Sequence, residues 1–124
     1  MQLIADTRDG VYNQNNKLLC FDEKTALGWL SKLDGKQHTL LSLERDDGWQ
    51  LMVGGGPFRY IITLGNGVEN LTFQNADGDD AIVVKLCAGG QFGEFPQTLC
   101  ATHQQATQVI LSFFIKKEQQ ESWV

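Results

Sequence analysis

The sequence predicts an α+β domain: a mostly antiparallel sheet of about five or six strands with two helices packed on it. Three observations lead there. Short apolar segments between residues 38 and 87 are separated by turns rich in Gly, Asp and Asn. Neighbouring segments are joined too tightly for a crossover, so they pair antiparallel. The two segments with helical spacing stand before and after this run, and each carries an apolar stripe that needs a flat surface to cover it.

In chain order, Leu3-Ile4 and Lys17 to Phe21 read as short strands around a polar turn, Asn13-Gln14-Asn15-Asn16. A helix starts after Asp22, whose carboxylate caps free amides, with Glu23 facing the positive end of the dipole. Ala26, Leu27, Trp29, Leu30 and Leu33 form its stripe, and Asp34-Gly35 ends it. His38–Glu44 and Trp49–Val53 form a hairpin across Arg45-Asp46-Asp47-Gly48. Gly54-Gly55-Gly56-Pro57 breaks the ladder, Phe58–Leu64 resumes it, and Leu71-Thr72-Phe73 follows the Gly65-Asn66-Gly67 turn. Ala81–Cys87 is the most apolar run and is expected to be a central strand. Thr102-His103-Gln104-Gln105 has the pattern of a capping box, followed by Ala106, Val109, Ile110, Phe113 and Phe114 at helical spacing. Trp123 is expected to pack on the helix or the sheet edge, with Ser122-Trp123-Val124 as a last short strand.

A chain of 124 residues fills one domain, taken here as residues 1–124. No run approaches the roughly 18 apolar residues that span a bilayer, and Met1–Asp6 has no basic or apolar leader, so a cytoplasmic protein is expected. Cys20, Cys87 and Cys100 lie among apolar neighbours and read as reduced core thiols. The net charge of −5 argues against a nucleic-acid binder, which needs a basic face. It is compatible with simple solubility or with a basic partner.

Reaction chemistry is hard to assemble from these residues. The Gly54–Gly56 run leads from strand to strand and carries no lysine, unlike a phosphate loop. Gly89-Gly90-Gln91-Phe92-Gly93 precedes a helix only after Phe95-Pro96 and a further loop, so it is no dinucleotide fingerprint. It reads as a segment leaving the sheet, or as a loop offering Gln91, Phe92 and Glu94 to a partner. Cys100 and His103, even with Cys87 near in space and His38 as the only other histidine, do not have the spacing of a zinc site or a poised nucleophile. No cofactor or metal is expected. Asp46, Asp47, Asp77, Asp79, Asp80 and Glu94 fall in predicted turns, where aspartate serves the backbone; jointly they would also make an acidic patch.

Asp47-Gly48-Trp49-Gln50-Leu51-Met52-Val53-Gly54-Gly55-Gly56, Phe58-Arg59-Tyr60, Gly89-Gly90-Gln91 with Phe95-Pro96, the Ala106–Phe114 helix and the closing Trp123 together resemble immunity protein family 1 of bacterial polymorphic toxin systems. The resemblance covers about the last two thirds of the chain. It implies a small α+β protein that binds a cognate toxin, often a nucleic-acid deaminase, and blocks it. The chain has no His-x-Glu with Pro-Cys-x-x-Cys, so it would be the antidote and not the enzyme. The family's N-terminus is diverse, Asn13–Asn16 matches no part of the pattern, and the resemblance supplies no binding residue. The expected toxin contacts are Asp46, Asp47, Asp77, Asp79, Asp80, Phe92 and Glu94, facing a basic toxin. Neither nucleic acid nor membrane is an expected partner, and the free protein is expected to be a monomer or weak dimer.

Two other classes are weighed against this one. A small-molecule binding domain would hold its ligand between helix and sheet near Gly89–Pro96. A hydrolase would use Cys100 and His103.

Overall fold

The computed structural model describes residues 1–19 and 21–124, and the expected core position of Cys20 lies outside them. The chain runs through β1 (Gln2–Asp9), β2 (Tyr12–Leu19), α1 (Glu23–Lys32), β3 (Leu40–Glu44), β4 (Gln50–Gly55), β5 (Arg59–Gly65) and β6 (Asn70–Thr72). It continues with β7 (Val83–Ala88), β8 (Gln91–Pro96), β9 (Ala101–Thr102) and α2 (His103–Phe114). The main sheet is antiparallel in the order β2-β1-β3-β4-β5-β6, with the short β9 also bonded to β5. β7 and β8 form a separate hairpin. The expected α+β architecture is therefore present, with two helices on an antiparallel sheet.

Strand register explains the core. Pairing aligns Leu3, Leu43, Leu51, Leu64 and Leu71 across five strands, and beside them Ala5, Leu41, Val53 and Ile62. Because side chains alternate along a strand, these rows share one face. All but the half-buried Leu71 are buried. Ala26, Leu30 and Leu33 of the first helical segment and Ala106, Val109, Ile110 and Phe113 of α2 cover that face. Phe21 meets Phe114 edge-on at 5.7 Å between the helices. Asp22 caps α1 by accepting from the Thr25 amide at 2.8 Å.

The α2 cap is the predicted one: the Thr102 hydroxyl accepts from the Gln105 amide, and Gln105 Oε1 accepts from the Thr102 amide. Gln105 also donates through Nε2 to buried Asn75 at 3.0 Å, so the cap holds the segment after β6 in place. Trp123 packs edge-on to Phe73 with centroids 6.1 Å apart, and its indole N–H donates to the Glu118 carbonyl at 2.7 Å. Phe73 and Trp123 form a bridge, the remnant of the expected final strand.

Four expectations fail, the last at Gly54-Gly55. Asn13–Asn16 is not a turn but the middle of β2, and the chain reverses at Gly10-Val11. β2 is an edge strand with little packed on either face, so no apolar alternation marks it. Residues 81–87 do not form a central strand: β7 belongs to the two-stranded hairpin, with Ile82 and Val83 exposed. Gln91–Pro96 is strand, not loop, so Phe92 and Glu94 are displayed on a sheet.

Gly54-Gly55 continues β4 rather than interrupting it. Gly54 follows inward-facing Val53 and so turns to the other face, where a Cβ would stand 2.5 Å from the Ala88 Cβ. That close approach seats the β7–β8 hairpin across the far face of the sheet.

Candidate functional site

The hairpin is fixed at its tip by a buried polar relay. Asp6 accepts from the Thr39 amide at 2.6 Å, from the Leu40 amide at 3.0 Å, from the Thr39 hydroxyl, and from Arg8 Nε at 2.7 Å. The Thr39 oxygen in turn accepts from the Gly90 amide at 3.0 Å. Burial alone pushes the Asp6 carboxyl upwards, but the bonds from Thr39, Arg8 and Leu40 outweigh it and hold the group below the usual carboxylate range. Gly90 sits at φ +79°, in the left-handed region that favours glycine, and a Cβ there would also displace the Arg8 guanidinium.

With its tip pinned, the hairpin turns one face outwards. Phe92 is 85% exposed on β8, beside Glu94, and Lys85 stands opposite Glu94 on β7. Lys85, Phe92, Gly93 and Glu94 line a concavity of about 240 Å³. A neighbouring one of about 210 Å³ runs from Lys85 to Pro57, Phe58 and Arg59. Phe58 is 81% exposed. Two uncovered phenylalanines thus flank one lysine on a hairpin whose tip is hydrogen-bonded to Thr39. This surface lies outside the helix–sheet layer, where the ligand-binding alternative placed its pocket near Gly89–Pro96.

The expected contact residues divide into two groups. Asp77, Asp79 and Asp80 precede β7: the Asp77 amide donates to Asn75 Oδ1 at 3.0 Å, the Asp79 amide donates to Gln97 Oε1 just after β8 at 2.9 Å, and Asp80 accepts from the Thr98 hydroxyl. With Phe92 and Glu94 they belong to the hairpin unit. Asp46 and Asp47 occupy the β3–β4 turn, next to Gln50, which pairs with Gly65 at one end of β5. Residues 97–102 adjoin the other end of β5, where Arg59 and Tyr60 pair with β9. The length of β5, roughly 20 Å at 3.3 Å per residue, separates the groups, so the acidic residues do not form one patch.

Asp47 also has a structural partner. Arg45 is 5% exposed and makes a two-pronged pair with Glu118, itself 3% exposed, at 2.9 and 2.7 Å. It donates to the Phe113 carbonyl at the end of α2 at 2.8 Å and lies over the Phe113 ring. Asp47 accepts from Arg45 Nε and from the Trp49 amide, both at 3.1 Å. Burial pushes the Asp47 carboxyl up, and the Arg45 and Trp49 bonds bring it below the normal range. Asp46 is free of such work apart from a 3.3 Å contact with the terminal amino group.

Cys100 is fully buried and its thiol points at the Pro96 carbonyl, 3.5 Å away. Burial raises its pKa, with Arg59 opposing, which disfavours the thiolate a nucleophile needs. His103 is exposed at the start of α2, its ring 6.0 Å from that of Tyr60. Among the described residues no group of three or more His, Cys, Asp or Glu is arranged to hold a metal ion, and no helix is long and apolar enough to cross a membrane.

Phe58 and Lys85 escape the sequence reading. Phe58 continues the inward alternation of Tyr60, Ile62 and Leu64, which marks it as core, but β5 begins only at Arg59. Comparison of the sequence with family models returns no match, and comparison with curated proteins returns none.

Proposed function

We propose that this chain is a non-enzymatic immunity protein that neutralises a cognate toxin by binding it through the β7–β8 hairpin and the Phe58 turn. The observation that carries the reading is the pair of exposed aromatics, Phe58 and Phe92, in a protein where, among the described residues, no buried side-chain polar atom lacks a partner. Large exposed aromatics weaken solubility and are characteristic anchors of protein interfaces. The acidic residues Asp77, Asp79, Asp80 and Glu94 on the same unit suit a basic toxin surface, such as one that holds nucleic acid. The fold resembled in the sequence is consistent with that role, and inhibition by occlusion needs a scaffold and a complementary surface rather than a reactive group.

The test is coexpression of the tagged chain in its native host with the toxin domain encoded nearest to it, followed by purification and a toxin assay. A stoichiometric complex in which toxin activity is lost supports the reading. A toxin that remains fully active in the presence of excess chain sinks it.

A further inference from the structure

Strand β2 has eight residues and pairs only with β1 among the described residues, which leaves its outer edge open. Natural edges are shortened, bulged or charged against pairing with another chain. This one has no proline, stays in continuous register with β1 and carries a single charge, Lys17.

The hairpin geometry determines which groups face outwards. Asp9 and Tyr12 flank a two-residue connection and therefore form a hydrogen-bonded pair. Alternation then aims the amides and carbonyls of Asn13, Asn15, Lys17 and Leu19 away from β1. A second copy meeting this edge about a two-fold axis must match residues of like orientation, so the axis passes through a residue. With the axis at Asn15, Tyr12 faces Leu18 of the other copy, Asn13 faces Lys17, and Gln14 faces Asn16. Tyr12 is 77% and Leu18 36% exposed, and both lie on the helix-bearing face in a non-hydrogen-bonded pair, where side chains come closest. The two lysines stand opposite amides rather than each other. With the axis at Asn16 the same strand would set Leu18 and Leu19 against amides and bring the lysines nearer. About six main-chain hydrogen bonds close the favoured register.

We propose that the protein self-associates through β2 into a reversible two-fold dimer with a continuous sheet, centred on Asn15. The occupant of the edge is a second copy because the strand is self-complementary in apolar pairs and free of charge conflict in one register. The proposed edge uses none of the residues Phe58, Lys85, Phe92 or Glu94, although the hairpin tip at Gly90 adjoins Arg8, the β1 partner of Asn13.

Sedimentation velocity over a concentration series tests it. The wild-type chain is expected to show a monomer–dimer equilibrium. Asn15→Lys and Asn15→Glu each place like charges opposite one another at the axis and are expected to raise the dimer Kd by about tenfold or more. A mixture of the two variants is expected to restore association. Asn15 is exposed, so thermal melts of both variants should match wild type and exclude misfolding. A wild-type chain that is monomeric throughout, an Asn15→Lys dimer of unchanged Kd, or a mixture that fails to associate would each overturn the proposal. Loss of toxin binding in Asn15→Lys by an otherwise monomeric wild type would assign the edge to the toxin and overturn it as well.

Discussion

Removing one partner of the Arg45–Glu118 pair should be among the most damaging single changes available. Both side chains are 4% exposed, and each holds the other by two short bonds. Glu118→Ala leaves a buried guanidinium with only Asp47 and the Phe113 carbonyl, and Arg45→Met leaves a buried carboxylate without a counterion. Breaking such a pair on one side costs about 3–5 kcal/mol. With an unfolding entropy of about 2.1 cal/mol/K per residue, this chain loses roughly 4 °C of Tm per kcal/mol, so a fall of about 10–20 °C is expected. Arg45→Met with Glu118→Leu removes both charges while keeping most of the volume. The Phe113 carbonyl still accepts from the Lys116 amide, so nothing polar is stranded there. The double variant should be more stable than either single one. Urea unfolding of the four proteins gives the coupling energy directly. Single variants that each lose less than about 1 kcal/mol, or losses that add without coupling, would refute the claim that this pair holds the β3–β4 turn to the end of α2.

Other expectations follow from the same geometry. Gly54→Ala should displace the hairpin and cost about 1–3 kcal/mol, and adding Ala88→Gly should recover much of it in denaturant titrations. Asp6 has a folded pKa below its unfolded one, so its contribution is complete above about pH 4 and is lost as pH falls through the lower folded value; Asp6→Asn should be less stable near neutrality and should lose less stability on acidification. In a Cys20→Ser, Cys87→Ser background, Cys100 should react with thiol reagents only as fast as the protein opens, and rapid labelling of the native state would contradict its burial. For toxin binding, Asp77→Lys with Asp79→Lys should slow association strongly at low salt and less at high salt. An unchanged rate at low salt would remove those residues from the interface.

The legible parts of this fold are those where one face is buried and the other is not. Leu41 and Leu43 flank Ser42, Ile62 and Leu64 flank Thr63, and the Asp47-Gly48 turn joins the first two runs, which marked the three central strands; Thr102 and Gln105 marked the start of α2 because a capping box is a local device. The hidden parts lack that asymmetry. β2 is solvated on both faces, so its Asn and Gln residues imitate a turn. β7 is apolar on the side that covers Gly54 and Gly55, and its exposed Val83 and the preceding Ile82 add to the run, which together imitates a central strand. β8 contains Gly93 and Pro96, which read as loop residues, yet Gly93 pairs with Leu86 and Pro96 closes the ladder at Val83. The buried Arg45–Glu118 pair joins residues 73 apart and has no local signature.

The candidate site follows the same division, and that bears on which carboxylates can recognise a partner. Asp6 and Glu118 are consumed in buried networks, and Asp47 is committed to Arg45 and Trp49. Asp22 and Asp34 accept from nearby amides that cap helix and turn. A carboxylate already holding several donors gains little from a partner's lysine and would lose those bonds by turning towards it. Glu94 has one cross-strand neighbour of opposite charge and sits next to an exposed phenylalanine. Asp77 offers its side chain to solvent two residues from the buried anchor Asn75. Recognition is therefore best sought where an uncommitted charge and an uncovered aromatic share one element, as Glu94 and Phe92 do on the β7–β8 hairpin, rather than at the acidic β3–β4 turn.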